Sequence, residues 1–235
     1  MSVGEYKLAA MDARGCRVLA IDTSTAFGSV AIAEGQELIG EVRLHSVDSH
    51  SMRVLPAAAF LLEQAGWAAR ELDGFAVTSG PGSFTGLRVG LASVQGLALA
   101  AGRPCLGVST LDVLAARIAG AAEWLMPLVD AYRGEVFGAL YDGRGHSCGE
   151  PFVAPPEALA DRMPAGVALV GTGAERHREW IRTHRPDATF SSRSSFLAGA
   201  LARLAVPRFA AGEGVTPAAL RPLYLREAEI RAARS

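Results

Sequence analysis

Phe75-Ala76-Val77-Thr78-Ser79-Gly80-Pro81-Gly82-Ser83-Phe84-Thr85-Gly86-Leu87-Arg88-Val89-Gly90 carries the chain from a short apolar strand, through a glycine-rich turn, into an apolar helix. Gly80, Gly82 and Gly86 remove the side chains that would hold backbone N–H groups away from a ligand. Ser79, Ser83 and Thr85 add hydroxyls beside a helix N-terminus. An anion or phosphate cradle has this composition, and so does a tight turn that holds nothing. The run is not a Walker A loop, because no Gly-Lys-Ser/Thr follows, and it does not read G-x-G-x-x-G in a dinucleotide-binding position. Nor is it a hydrolase elbow, since Gly82-Ser83-Phe84 breaks the G-x-S-x-G pattern.

Upstream, apolar runs predict strands over 18–22, 28–33 and 38–44, followed by a helix over 51–65 with Leu55, Ala58, Leu62 and Ala65 at helical spacing. The strand 75–77, a helix over 87–101 and a strand over 104–108 come next. Strands at 125–131, 135–141 and 167–170, a turn at 143–145 and helices at 175–182 and 195–206 complete the order. Three hairpin-connected strands followed by alternating helix and strand predict an α/β fold, with mixed sheets covered by helices. No fixed-period repeat is visible. The expected division is an extension over 1–15, an N-terminal lobe over 16–122, a smaller lobe over 123–226 and a tail over 227–235.

Within that frame Asp22-Thr23-Ser24-Thr25 closes the first strand, where a carboxylate and hydroxyls in a hairpin can hold phosphate and metal; an Asx-type turn accounts for the same residues. Gly171-Thr172-Gly173 repeats the glycine-turn chemistry in the second lobe. Together with Ser79, Gly80, Gly82, Ser83 and Thr85, these form a candidate nucleotide-contact set. Asp130 to Phe137 places acid, base and acid around a turn that either faces a cleft or caps a hairpin. On the helix after the first glycine turn, Gly86, Gly90, Ser93, Gly96 and Ala100 form a small-residue stripe beside Leu87, Leu91, Val94 and Ala98. Each interior glycine costs roughly 1 kcal/mol of helix propensity, so close packing against a neighbour must compensate. That neighbour is either internal or another subunit.

Of the 235 residues half are hydrophobic, enough for a sizeable core. No uninterrupted apolar run reaches the roughly 20 residues of a membrane span, and residues 1–15 do not read as a secretory signal, which points to a soluble, cytoplasmic setting. Three widely spaced cysteines give neither a disulfide framework nor a zinc cluster. His45 and His50 miss the spacing that sets two ligands on one helix face. Residues 1–150 carry 11 basic and 16 acidic side chains, and residues 151–235 carry 12 and 8. Arg176, Arg178, Arg182 and Arg185, with His177 and His184, fall on one expected helix: a solvated face, or a patch for RNA or an acidic partner.

Leu19-Ala20-Ile21-Asp22-Thr23-Ser24-Thr25, His50-Ser51 before Leu55-Pro56, the Ser79–Gly90 run, Asp130–Phe137 and Pro222-Leu223-Tyr224-Leu225-Arg226 together resemble the TsaB (YeaZ) family. The motifs span residues 16–226 in order, and the Ser-Gly-Pro-Gly-Ser-Phe-Thr-Gly-Leu-Arg run is highly specific. The resemblance implies a two-lobed, actin-like (ASKHA, RNase H-like) fold and a part in forming N6-threonylcarbamoyladenosine at position 37 of tRNAs that read ANN codons. It implies a non-catalytic subunit that supports the transferase TsaD and, through it, the ATPase TsaE, with tRNA touched only indirectly or weakly. TsaD holds its metal through His-x-x-x-His after the strand matching 105–108; here Ser109-Thr110-Leu111-Asp112-Val113-Leu114 stands instead, so no metal site is expected. The family pairs the equivalent helices with a second copy or with TsaD, which makes Gly86, Leu87, Gly90, Leu91, Ser93, Val94 and Leu97 the expected interface. No tightly bound cofactor is implied, although ATP or ADP shared with TsaD is compatible. A small-molecule kinase fits the fold but needs a cleft carboxylate base and a fuller adenosine loop. A metallopeptidase lacks its histidines.

Overall fold

The computed structural model describes residues 12–45 and 51–225. His50, Arg226, the tail 227–235 and most of the expected 1–15 extension lie outside them. The first sheet begins with three antiparallel strands, β1 (Arg17–Asp22), β2 (Phe27–Glu34) and β3 (Glu37–His45). Helix α1 (Ser51–Ala65) then crosses over to β4 (Gly74–Gly80), which is parallel to β1. Helix α2 (Phe84–Ala101) leads to β5 (Cys105–Ser109), parallel to β4, and α3 (Thr110–Arg117) follows. The strand order is β3-β2-β1-β4-β5.

Alternation along the strands sorts the core into two layers. Leu19, Ile21, Val30, Ile32, Phe75 and Val77 pack beneath α1 and α2. Val18, Ala20, Ala33 and Ala76 face the other way, against α3 and a helix from the end of the chain.

The second sheet contains β6 (Trp124–Asp130), β7 (Val136–Gly138), β8 (Tyr141–Asp142), β9 (Phe152–Ala154), β10 (Ala168–Val170) and β11 (Thr189–Phe190). Its order, read from the antiparallel edge, is β9-β7-β6-β10-β11. Two strands antiparallel in succession to the first, then two parallel on its other side, is the arrangement of the first sheet used again. The repeat is topological, which is why no period shows in the side chains.

Several sequence expectations change. The strand expected over 135–141 divides, because the chain leaves β7 at Gly138, where the Phe152 ring and Leu128 fill the side-chain position, and β8 re-pairs at the start of β6. Helix α3 was not anticipated; Ser109 caps it by accepting from Leu111 N at 3.2 Å. The single helix expected over 175–182 is two, α4 (Thr172–Arg176) and α5 (Arg178–His184), broken at His177.

The closing helix, α6 (Ala198–Ala210), does not complete the second lobe. It returns to β1, β2 and β3 and buries Leu201, Ala202, Ala205, Val206 and Phe209 there. Ser29 Oγ in β2 accepts from Leu197 N (3.2 Å) and Ala198 N (3.0 Å), fixing its start. Residues 215–225 also run back along the first lobe, bridging Cys105 to Val215.

Candidate functional site

In the first lobe, the β1–β2 turn and the glycine-rich turn are locked together. Asp22, Thr23 and Ser24 are buried. Asp22 Oδ1 accepts from Ser24 N (3.0 Å), Ser24 Oγ (2.7 Å) and Thr78 Oγ1 (2.7 Å), so the carboxylate organises its own turn and ties it to β4. Thr23 Oγ1 donates to the Gly86 carbonyl at 2.7 Å, and Ser83 N donates to the Ser24 carbonyl at 2.7 Å. Ser83 also caps α2, its Oγ accepting from Gly86 N at 3.3 Å. Thr25 is half-buried at the turn, and Thr85 is exposed on the first turn of α2.

The glycines have specific neighbours. A Cβ on Gly82 would collide with the Ser24 carbonyl, one on Gly86 with the Thr23 carbonyl, and one on Gly80 with the Leu223 carbonyl. Gly80 also holds φ at +123°, which other residues rarely adopt. Leu223 N donates to the Ser79 carbonyl at 2.7 Å, and Gln95 on α2 donates to the carbonyls of Pro217 (3.0 Å) and Leu220 (3.3 Å). The close approach that the glycines permit is thus taken up by the chain's own carbonyls, from the β1–β2 turn on one side and the C-terminal strap on the other. Three contributors, Thr78, Leu223 and Gln95, were missed in the sequence, although Thr78 and Leu223 stand within quoted motifs.

The second lobe repeats the arrangement. Gly171 and Gly173 lie where a Cβ would press on β6, Gly171 against the Leu128 carbonyl and Gly173 on Leu128 and Val129. Thr172 Oγ1 accepts from Asp130 N at 3.1 Å. Asp130, the counterpart of Asp22 at the end of the first strand, accepts from Tyr132 N (2.9 Å) and from Arg176 Nη1 (2.7 Å). The hairpin beyond it holds Tyr132 (φ +59°), Arg133 (φ +54°) and Gly134 (φ +82°) in succession in the left-handed region, a costly conformation for the first two. The structure brings Asp22, Thr23 and Ser24 together with Ser79, Gly80, Gly82 and Ser83; Gly171 and Gly173 form a separate, equivalent junction.

Of the expected interface residues, Gly86, Leu87, Gly90, Leu91 and Val94 point into the chain, and Ser93 and Leu97 are half-buried. The space beside Gly90 is filled by the Thr23 hydroxyl and Val77, so the small-residue stripe begins as an internal seam. It opens outward only further along, where nothing lies within 4 Å of a Cβ on Gly96. The outer surface of α1 and α2 carries large apolar side chains among polar ones: Met52 is 80% exposed, Leu55 47%, Phe60 53%, Phe84 44% and Leu99 72%, with Arg53, Glu63 and Arg88 exposed beside them. By length and composition α2 is apolar enough to cross a membrane, yet its buried side packs on β4.

The arginine cluster is not one helix face. Arg176 pairs with Asp130, Arg178 with Glu175, and Arg185 with Asp187, while Arg178 and Arg182 lie over the Phe190 ring. The Arg185 hydrogen bond holds the Asp187 carboxyl well below the usual carboxylate range. Among the described residues no three His, Cys, Asp or Glu side chains gather as metal ligands. At the place matching the metal motif of TsaD stands α3, where Asp112 Oδ1 accepts from the Tyr141 hydroxyl at 2.7 Å.

The duplicated sheet order and the paired Asp-and-glycine junctions define an actin-like α/β protein. Component A of the (R)-2-hydroxyglutaryl-CoA dehydratase of Acidaminococcus fermentans shares this fold, with a TM-score of 0.54 over 83% of this chain and 99% of that one at 11% identity. YeaZ from Pseudomonas aeruginosa is nearer, with a TM-score of 0.77 at 34% identity over 89% of this chain and all (100%) of that one. The tRNA threonylcarbamoyladenosine biosynthesis protein TsaB of Escherichia coli (strain K12) is 33% identical over 225 residues, covering 89% of this chain and 94% of that protein. A family model described as TsaD, tRNA N6-adenosine threonylcarbamoyltransferase, matches residues 40–211. The chain belongs to the TsaB (YeaZ) family.

Proposed function

We propose that this protein is a non-catalytic subunit in N6-threonylcarbamoyladenosine formation on tRNA, and that it acts by docking the outer face of α1 and α2 onto the transferase TsaD, through which it serves TsaE. The observation that carries the reading is the number of large apolar side chains left exposed on two adjacent helices: Met52, Leu55, Phe60, Phe84 and Leu99. Patches of this kind on a folded chain mark interaction sites. The kinship with a relative named for this biosynthesis supplies the pathway. A second copy of this chain competes for the same face, so homodimer and heterodimer exclude one another.

The peptidase and kinase readings gain less support. A metallopeptidase needs converging ligands, and the described residues offer none. A kinase needs a carboxylate that meets substrate in the cleft, whereas Asp22 is buried and its Oδ1 ties its own turn to β4. Because the glycine cradle is filled by the chain's own carbonyls, ATP or ADP is expected only at a site shared with TsaD. Calorimetry with ATP and ADP on the chain alone and on its complex with TsaD checks this point; binding by the chain alone would contradict it.

Gel filtration tests the docking claim. The wild type is expected to co-elute with TsaD in a cytoplasm-like reducing buffer, and Leu99→Glu to elute apart from it while remaining folded. Undiminished co-elution of Leu99→Glu would place the interface elsewhere.

A further inference from the structure

One cavity lies apart from both glycine junctions and on the opposite face of the first sheet from α1 and α2. It has a volume of about 540 Å³ and opens between β3, the end of α3 and the first turns of α6. Arg43, Arg117, Arg193 and Arg203 line it, with Glu41 the single acidic residue of its lining.

That carboxylate is already engaged. Glu41 Oε1 accepts from Gly199 N at 3.1 Å and Oε2 from Arg43 Nε at 2.9 Å. Arg117 Nη1 donates to the Phe196 carbonyl (2.6 Å) and Arg203 Nε to the Gln36 carbonyl (3.2 Å), acceptors that leave both charges unneutralised. Arg117 Nε is buried with no acceptor among the described residues. No ion pair to Arg193 occurs among them either. Burial lowers the Arg117 pKa most; Glu41 opposes that shift, and Arg193 and Arg43 add to it. Four arginines thus share one recess with one committed carboxylate, and no other described residue lining it carries a negative charge.

We propose that this cavity binds a small anion carrying phosphate groups. Planar guanidinium forks match phosphate oxygens with paired donors, and the positive end of α6 adds to the field. The volume lies within the range of small-ligand pockets, about 300–1,000 Å³. An open recess of this size, with its arginines gathered at one place, suits a compact polyanion, whereas a nucleic-acid backbone is tracked by an extended basic stripe.

Inorganic tripolyphosphate is the probe, titrated into the full chain by calorimetry at physiological ionic strength. The expected result is saturable one-to-one binding with a rise in Tm. Arg193→Gln and Arg43→Gln, both at exposed positions, should each weaken it by about tenfold, the effect of losing one charge-assisted hydrogen bond. Arg144→Gln, which removes the same charge from an exposed hairpin elsewhere, should leave it unchanged. Absence of saturation, or an equal loss in Arg144→Gln, would overturn the proposal. So would binding of a single-stranded RNA oligomer, weakened by the two cavity variants, without any binding of tripolyphosphate.

Discussion

Gly86 and Gly96 are both interior glycines of α2, yet they do different things. At Gly86 a methyl group would meet the Thr23 carbonyl, a backbone atom that cannot step aside without moving the β1–β2 turn. Gly86→Ala should therefore destabilise the fold by about 2–3 kcal/mol in urea unfolding, an overpacking cost set against its gain in helix propensity. At Gly96 the space is open, and Gly96→Ala should stabilise by roughly 0.5–1 kcal/mol. Effects of the same sign at the two positions would contradict the assignment of Gly86 to an internal seam. The sequence places both glycines on one stripe, since spacing reports which residues share a helix face and not what covers it. The covering group here belongs to a turn about sixty residues earlier. Asp22 shows the same limit: an Asp-Thr-Ser turn is evident from its residue types, but the partnership with Thr78 depends on the parallel register of β1 and β4.

At the scale of elements, α2 has two working faces. Leu91 is buried in the core beneath the helix, and Leu99 is exposed. Leu91→Glu should lose cooperative unfolding altogether, because it buries a charge without a partner. Leu99→Glu should keep the wild-type midpoint within about 0.5 kcal/mol, as exposed substitutions usually do. Circular dichroism melts check both, and a folded Leu91→Glu would undo the core assignment. Gly90→Arg is a poor probe of assembly for the same reason, since Thr23 and Val77 occupy the space beside it. Apolar periodicity made the order of strands and long helices legible from the sequence. Short elements escaped it: α3 spans eight residues, and α4 and α5 only five and seven. In such short pieces capping and tertiary packing decide the conformation more than pattern does.

Across the whole molecule, two sheets of like order are joined by a chain that returns to its beginning. Within the stretch 123–226 expected as the smaller lobe, α6 packs its apolar face on the first sheet, a fact of shape that composition does not express. This closure buries Cys16 and Cys105, and burial pushes each thiol up to about 11, with Asp73 adding to the effect at Cys16. Cys148 is exposed. A thiol reagent at neutral pH should consume one cysteine per native chain and three after unfolding, since the thiolate is the reactive form. Rapid modification of all three in the native protein would show that the closure is loose.

We propose that this chain supports the modification of tRNA through its α1–α2 face without chemistry of its own. Reconstituting N6-threonylcarbamoyladenosine formation from purified TsaD, TsaE, tRNA and substrates, with and without this protein, is the decisive experiment. Product is expected with the wild-type chain, little or none in its absence, and little or none with Leu99→Glu. Equal product without the chain, or full activity with Leu99→Glu, would contradict it.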